Sequence, residues 1–430
     1  MTIDFRKIIG EKRFGKVKSK NFIKFTKCRF CNSGKLIKVI DLGDMPLAGG
    51  FIKKKTDFKK EKKYPLDLFF CKNCYLLQTG ISINPDILFK EYFYFSSSIK
   101  TLVDHFNKTA QKISNDLREG SSIVEIGCND GEFIKALQKS KFKACGVDPA
   151  TNIVKPLIKK GMPIINSYFN QSVAKKISKK YGKADAIYSF HSLAHIPDMH
   201  EVVKGIKILL KPEGYLAFEV HYLGNLLEGL QYDMIYHEHL HYYSLITLKK
   251  FFGQYNMEIY DIERNNLRSG SITYFVQDIN TGKKKMSRRV KSLEKNELKE
   301  KLNTPIPYLK FYKKIKNTKK DLLHLLNKLN KDNKTITGYG ASGRGTVILN
   351  YCGLDAKLLK FVVDDAPAKH GCFMPGTHNP IFSSQELVNQ NSDYSVVFAW
   401  PFIEEVKKRN KTFMKNGGKF ILPLPNVKVI

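Results

Sequence analysis

Apolar positions along the chain follow one rhythm in its middle and others at its two ends. Five short apolar runs recur between residues 121 and 220: Ser121–Gly127, Ala144–Asp148, Pro163–Asn166, Ala184–Phe190 and Gly214–Val220. Stretches with helical spacing separate them. Strands alternating with helices predict an α/β fold built on a parallel, doubly wound sheet. Two later β-type runs, Met257–Glu263 and Ser271–Gln277, are close enough in sequence to pair antiparallel at one edge of that sheet.

The flanking regions differ. Residues 1–90 hold four of the eight cysteines and read as short strands and turns. Residues 281–330 are rich in Lys, Glu and Leu; Pro305 and Pro307 interrupt them, and Leu322, Leu325, Leu326 and Leu329 then recur at helical spacing. From residue 331 onward, runs at Lys334–Gly340, Leu359–Asp364 and Tyr394–Ala399 predict a smaller Rossmann-like α/β unit. The expected division is 1–90, 91–280, a helical linker over 281–330, and 331–430. No repeat with a period of 20–50 residues is visible.

Length and composition narrow the function classes. At 430 residues and 42% hydrophobic, the chain can bury several cores. No apolar run reaches the roughly 18 residues a membrane span needs. The basic N-terminus, MTIDFRKIIGEKRFGKVKSK, has no apolar core of the kind a secretion signal carries. Eight cysteines are too few for a disulfide scaffold, so a reducing, cytoplasmic setting is expected. The net charge of +33 is spread over the chain, with local runs at Lys53–Lys55, Lys59–Lys63 and Lys283–Lys285. Spread this way, it reads as a solvated lysine coat or as steering for an anionic ligand.

Cys28-x-x-Cys31 and Cys71-x-x-Cys74 form two pairs separated by 39 residues. Four thiolates on two tight turns close a tetrahedral Zn²⁺ site with no open position, so its role is structural. A redox pair would sit at the start of a helix, and neither pair opens one. Cys128, Cys145, Cys352 and Cys372 lack ligand spacing and read as ordinary thiols.

A second motif ends the first strand of the middle segment. In Ile123-Val-Glu-Ile-Gly-Cys-Asn-Asp-Gly131, Gly127 and Gly131 permit a sharp turn and close approach of a ligand. Asp148, 21 residues after Gly127, ends the next strand, where a carboxylate can accept from ribose hydroxyls. The loop is E-x-G-x-x-x-G and resembles motif I of the class I S-adenosylmethionine-dependent methyltransferases. That resemblance puts Glu125 and Gly127 beside the amino-acid end of the cofactor, and adds Asn129 and Gly131 to the cofactor-binding set. Leu209–Leu216 (LLKPEGYL) resembles the turn before the fifth strand of that fold.

Tyr236-His-Glu-His-Leu-His241 contains a literal HExxH. A zinc protease needs both histidines on one helical face. Ser244 reads as the N-cap of a helix that starts afterwards, so this stretch falls in a loop. The residues suit an acid/base cluster instead, because imidazole titrates near neutrality. In an extended stretch His237 and His239 would share a face, and Glu238 can assist His239 only from a turn.

The motifs occur in one order: the two C-x-x-C pairs, Tyr92-x-Tyr94-x-Ser-Ser, E-x-G-x-N-D-G, His195-x-Pro-Asp, Tyr-His-Glu-His, Gly338-Tyr-Gly-Ala-Ser and Pro375-Gly-Thr-His. This order, over about residues 28–425, resembles the nucleotide-sugar C-methyltransferases, which branch TDP-linked 4-keto deoxysugars at C-3. The resemblance implies a class I methyltransferase domain flanked by an N-terminal zinc domain and a C-terminal α/β domain. It implies S-adenosylmethionine and a structural Zn²⁺ as cofactors and a nucleotide-sugar substrate, with neither nucleic acid nor membrane as partner. Carried onto matching positions, His239 is the base and Glu238 orients it. Tyr236, His195 and one of Tyr92 or Tyr94 line the sugar. Gly340 and Ser342, in a GxGxxG turn, either cradle the substrate diphosphate or pack a ligand-free turn. The family's late G-G-S-x-R strand reads here as Ser269-Gly-Ser-Ile-Thr273, with Arg268 just before it. Two rivals are a zinc-ribbon nucleic-acid methyltransferase and a non-catalytic glycan-assembly protein with the same fold. The first would explain the charge but leaves the histidine cluster idle and lacks an Asn-Pro-Pro-aromatic motif.

Overall fold

The computed structural model describes residues 21–430; the basic N-terminal stretch lies outside the described residues. The chain forms two compact units. One comprises the chain up to Ile37, Phe70–Leu223 and Leu240–Thr304; the other comprises Lys38–Phe69, Gly224–His239 and Pro305–Ile430.

The first unit is built on a seven-stranded sheet. Its strands are β1 (Ser122–Ile126), β2 (Lys143–Asp148), β3 (Ile164–Asn166), β4 (Ala184–Phe190), β5 (Leu210–His221), β6 (Met257–Asn265) and β7 (Ser271–Asp278). The spatial order is β6-β7-β5-β4-β1-β2-β3. Neighbours from β5 to β3 run parallel, and β7 is antiparallel to both β5 and β6. The order reverses between β1 and β4, and ligands of open α/β sheets bind at the carboxyl ends of strands beside such a switch.

Alternation along the strands decides which helix covers which face. Ile123, Ala186, Tyr188, Tyr215 and Ala217 point one way and pack on Leu102, Phe106, Phe133 and Leu137. Those residues belong to α1 (Lys100–Ile113) and α2 (Glu132–Lys139). Val124, Ile126, Ile187, Phe218 and Val220 point the other way into a larger core. Its helices include α3 (Met199–Leu209), α4 (Leu245–Gly253) and α5 (Arg288–Lys299). The same core takes in Cys28, Phe30, Cys71, Cys74 and Leu76, so the cysteine turns are packed into the sheet's own interior. Phe30 lies flat on Phe251 of α4, with ring centroids 3.9 Å apart. Ser244 caps α4 by accepting from the Thr247 N–H, as its position predicts.

In the second unit a six-stranded sheet surrounds β8 (Ile336–Tyr339). The expected runs near residues 359–364 and 394–399 form the strands Val362–Val363 and Tyr394–Val397 on either side of it. The charged segment before it is helical: Pro305 stands at the N-cap of α6 (Ile306–Lys331) and Pro307 in its first turn. Proline suits a first turn because its missing N–H has no partner there anyway. Leu322, Leu326 and Leu329 form the buried stripe of α6. Among the described residues no helix is long and apolar enough to cross a membrane.

Two buried histidines make the fold acid-sensitive. Burial pushes the His237 imidazole down to about 4 and that of His241 well below its ordinary value. Such groups take a proton in the unfolded chain near pH 6.5 but refuse it in the folded one. Stability is therefore complete above about pH 6.5 and falls as the pH drops towards 4, with roughly 3 kcal/mol at stake for His237. Melting temperature followed from pH 7.5 to 5 is expected to fall below about pH 6.5. A flat profile for wild type, or an equally steep one for His237→Gln, contradicts this assignment.

Candidate active site and metal centre

Each cysteine pair is held by the same local hydrogen bonds. The N–H of the first cysteine donates five residues ahead, Cys28 to Ser33 O and Cys71 to Leu76 O, both at 2.9 Å. Its carbonyl accepts from four residues ahead, from Asn32 and from Tyr75. Both of those residues have positive φ, 56° and 70°, which turns the chain back over the thiols. The four sulfurs lie within 4.8 Å of one another, with Cys28–Cys74 at 3.4 Å and Cys31–Cys71 at 3.5 Å. Thiolates around zinc, at about 2.3 Å from the metal in a tetrahedron, would stand about 3.8 Å apart. All four cysteines are free thiols. Hydrogen bonding with Cys28 holds Cys71 down at about 7 and Cys31 lower still, and pushes Cys74 up. The donor set, its spacing and its burial fit Zn²⁺.

The glycine loop follows β1. Gly127 has φ 79°, and a Cβ there would fall 2.0 Å from Ser192 Oγ, so the position excludes every other residue. The Asn129 N–H donates to Asp148 Oδ2 and the Ala150 N–H to Oδ1, each at 2.8 Å. Each Asp148 oxygen keeps a second lone pair for a ribose hydroxyl. The Asn129 side chain faces elsewhere. Its Oδ1 accepts from the Ser96 N–H and its amide donates to Tyr94 O, so it binds residues 92–98 down over the loop. Asp130 adds a bond from the Ser97 N–H, and Asn152 exchanges two bonds with the Tyr92 backbone. Arg268 donates to Tyr94 Oη at 2.5 Å from a turn in which Arg268 and Ser269 both have positive φ. His195 stacks on Phe89, which in turn meets Tyr92 edge-on.

Glu125, Asp130 and Asp148 are all buried beside this loop. Among the described residues, Glu125 Oε2 and Asp130 Oδ1 have no hydrogen-bond partner. Burial first, and then the charges of Asp148 and Asp130, push the Glu125 carboxyl well above its usual range. Orphaned carboxylate oxygens of this kind call for a cation. S-adenosylmethionine carries two positive groups, an ammonium and a sulfonium, so the residues present fit it. Gly131, with φ 74°, starts α2 just beyond.

The histidine segment belongs to the second unit as far as His239. It is a turn and not a helix, which removes the zinc-protease reading: the His239 N–H donates to Tyr236 O at 3.0 Å. His237 is buried, with Nε2 3.2 Å from Tyr64 O. Tyr236, Glu238 and His239 are half-buried. His239 Nδ1 lies 2.7 Å from Met234 O and its ring 4.0 Å from that of Tyr236. A nitrogen that bonds a carbonyl must carry the hydrogen, so the lone pair of neutral His239 is on Nε2. In the GxGxxG turn, Ser342 accepts from the Gly345 N–H as the N-cap of α7 (Gly343–Cys352). Gly340, at φ 102°, has no room for a Cβ beside Ala399.

Two residues beside the loop were missed by sequence reasoning. Asp130 lay inside the quoted motif, but its unpartnered oxygen is visible only in the folded loop. Asn152 reaches Tyr92 across a long sequence separation with no local pattern to mark it; Arg268, noted beside the late strand, reaches Tyr94 in the same way.

Purified protein is expected to contain one zinc per chain by elemental analysis. Cys71→Ser should lose that zinc and melt roughly 5 °C lower or more. Unchanged metal content in the variant would contradict the assignment. Asn129→Ala should weaken S-adenosylmethionine binding by about 1–3 kcal/mol, roughly 5- to 150-fold, by releasing residues 92–98. Equal affinities by calorimetry would show that those residues do not help hold the cofactor.

Three family descriptions match in chain order: a putative zinc binding domain over residues 28–89, a methyltransferase domain over 100–262, and a C-methyltransferase C-terminal domain over 266–425. The C-methyltransferase NovU of Streptomyces niveus is 31% identical over 405 residues, covering 94% of this chain and 96% of that protein. The putative methyltransferase YqeM of Bacillus subtilis is 27% identical over 139 residues, covering 30% of this chain and 55% of its own. Among solved structures, the PH0226 protein of Pyrococcus horikoshii aligns over 43% of this chain and 94% of its own, at 13% identity and a TM-score of 0.34. A relative matched from end to end at this identity, with the same domains in the same order, settles the family: the chain belongs to the S-adenosylmethionine-dependent C-methyltransferases.

Proposed function

We propose that the protein methylates C-3 of a nucleotide-linked 4-keto deoxysugar, through an enolate, in the making of a branched sugar. The observation that carries this reading is the His239 turn. A half-buried imidazole whose Nδ1 hydrogen is committed to Met234 O carries the lone pair of its neutral form on Nε2. Methylating carbon beside a ketone needs such a base, because ionising the C–H bond is the hard step. The end-to-end similarity to a C-methyltransferase supports the same chemistry.

In this reading Glu125, Gly127, Asn129, Gly131 and Asp148 bind the cofactor, Asn129 through its backbone and through residues 92–98. Bound S-adenosylmethionine supplies an electrophilic methyl group. His239 takes the C-3 proton at Nε2, with the Tyr236 ring tilted against it at 4.0 Å and Glu238 in the same turn. His195 and Tyr92 or Tyr94 are the proposed sugar-lining donors for the enolate oxygen. Gly340 and Ser342 are the proposed diphosphate contacts. The proposed domains are 1–90 for zinc, 91–280 for methyl transfer, 281–330 as linker and 331–430 as the C-terminal α/β domain. The free thiols favour a reducing, cytoplasmic setting.

Incubation with isotope-labelled S-adenosylmethionine and a panel of TDP- and GDP-linked 4-keto sugars should yield one product heavier by a single methyl on carbon. His239→Gln should bind the cofactor normally yet lose roughly 10²–10⁴-fold in turnover. It should also stop exchange of the C-3 hydrogen with deuterated solvent. Exchange that survives in His239→Gln and vanishes in His195→Ala would move the base to His195.

A further inference from the structure

On the face of the sheet covered by α1 and α2, Glu219 of β5 is completely buried. Its Oε1 lies 3.0 Å from His191 Nε2. Its Oε2 lies 2.9 Å from His105 Nε2 of α1, 2.7 Å from the Asn265 amide and 3.2 Å from the Thr273 hydroxyl directly across the strand pair. Burial alone would push this carboxyl up; His105 and His191 facing it outweigh that and hold the group well below the usual carboxylate range. Glu219 is therefore an ionised group that only accepts hydrogen bonds.

An acceptor of this kind fixes the imidazole that faces it. His191 Nε2 must carry hydrogen, so the lone pair of neutral His191 is on Nδ1. Burial first, then the nearby Arg268 guanidinium, favours that neutral ring. His191 stands one residue beyond β4 with φ 54°, its N–H bonded to Glu219 O at 2.7 Å. The next residue, Ser192, is the one that crowds Gly127 of the cofactor loop. Together with Asn129, Arg268 and Ser269, His191 makes four residues with positive φ around the carboxyl ends of β1, β4 and β6. Strain of this sort gathers where side chains must be aimed. The mechanism above uses neither Glu219 nor His191.

We propose that Glu219 is a positioning residue that holds His191 as a hydrogen-bond acceptor, and that His191 Nδ1 receives a hydroxyl hydrogen of the methyl acceptor, making the pair a determinant of which hydroxylated substrate is methylated. The second half rests on the sugar reading above. A carboxylate that sets a tautomer is not replaceable by its amide: Glu219→Gln keeps the shape but can turn its amide hydrogens towards Nε2, which moves the imidazole hydrogen to Nδ1.

Nitrogen-15 NMR of histidine-labelled protein, with the His191 signal assigned by its loss in His191→Leu, reads the tautomer without any substrate. At about pH 7.5 wild type should show the Nε2–H form and Glu219→Gln the Nδ1–H form. An Nδ1–H or doubly protonated ring in wild type overturns the proposal. In kinetics, both variants should raise KM for the sugar nucleotide roughly ten- to a hundredfold, with cofactor affinity within about twofold of wild type. Sugar analogues lacking one hydroxyl at a time should include one that is penalised in wild type and not further penalised in His191→Leu. Variants that lower only the melting temperature overturn the substrate contact. If Glu219→Gln does not fold, His191→Leu, which leaves Glu219 the Asn265 amide and the Thr273 hydroxyl as donors, carries the kinetic test. A wild type that methylates none of the sugars overturns the sugar reading, and the tautomer still decides the Glu219–His191 pair.

Discussion

Three buried carboxylates at the carboxyl ends of β1 and β2 are the constraint around which the methyl-transfer unit is organised. Glu125, Asp130 and Asp148 lie together out of water, and among the described residues no lysine or arginine is bonded to any of them. A protein does not gather like charges in its interior for stability, since each raises the cost of ionising the next. The loop geometry follows from managing them. Asp148 is calmed by two backbone N–H groups, and one of these, from Asn129, sets the path of the glycine turn. What is left over is an acceptor surface for a cation, and the cofactor of the family is a cation.

The zinc centre has a different task. Its cysteines sit in the same core as β1, β4 and β5, and Phe30, between Cys28 and Cys31, is stacked against α4. Metal loading therefore stabilises the sheet that shapes the cofactor loop and not a detached module. Two turns with the same hydrogen-bond pattern, four residues forward and five residues forward, bring the four thiols together. Arg29 beside them is buried and bonds Thr79 and Ile81, which ties one turn to the strand that pairs with His241–Tyr242.

Much of this was legible in the chain. The five parallel strands stand where the apolar runs put them, because a strand buried on both faces writes a short continuous apolar run. Ala184–Phe190 matches its run residue for residue, and the antiparallel edge pair is β6 and β7. The strands Ile381–Phe382 and Lys419–Leu422 were not foreseen. The cysteine quartet was legible because metal geometry demands local spacing. Glu238 could help His239 only from a turn, and the segment is one. The Glu219 cluster was not legible, because strand register and helix packing bring residues 105, 191, 219, 265 and 273 together. Nor did the sequence show that the Asn129 side chain bonds Tyr94 and Ser96, 33–35 residues away.

The account stands on the carboxylate pocket being built for a positively charged methyl donor. Calorimetric titration with S-adenosylmethionine, repeated in buffers of different ionisation enthalpy at about pH 6.5, where the cofactor's own amine is already protonated, tests it most directly. One cofactor should bind per chain, and the heat should depend on the buffer in the sense of proton release, because burial and the neighbouring Asp148 and Asp130 push the Glu125 carboxyl well above its usual range and an incoming positive charge brings it back down. Absence of binding, or binding with no proton released, would contradict the account.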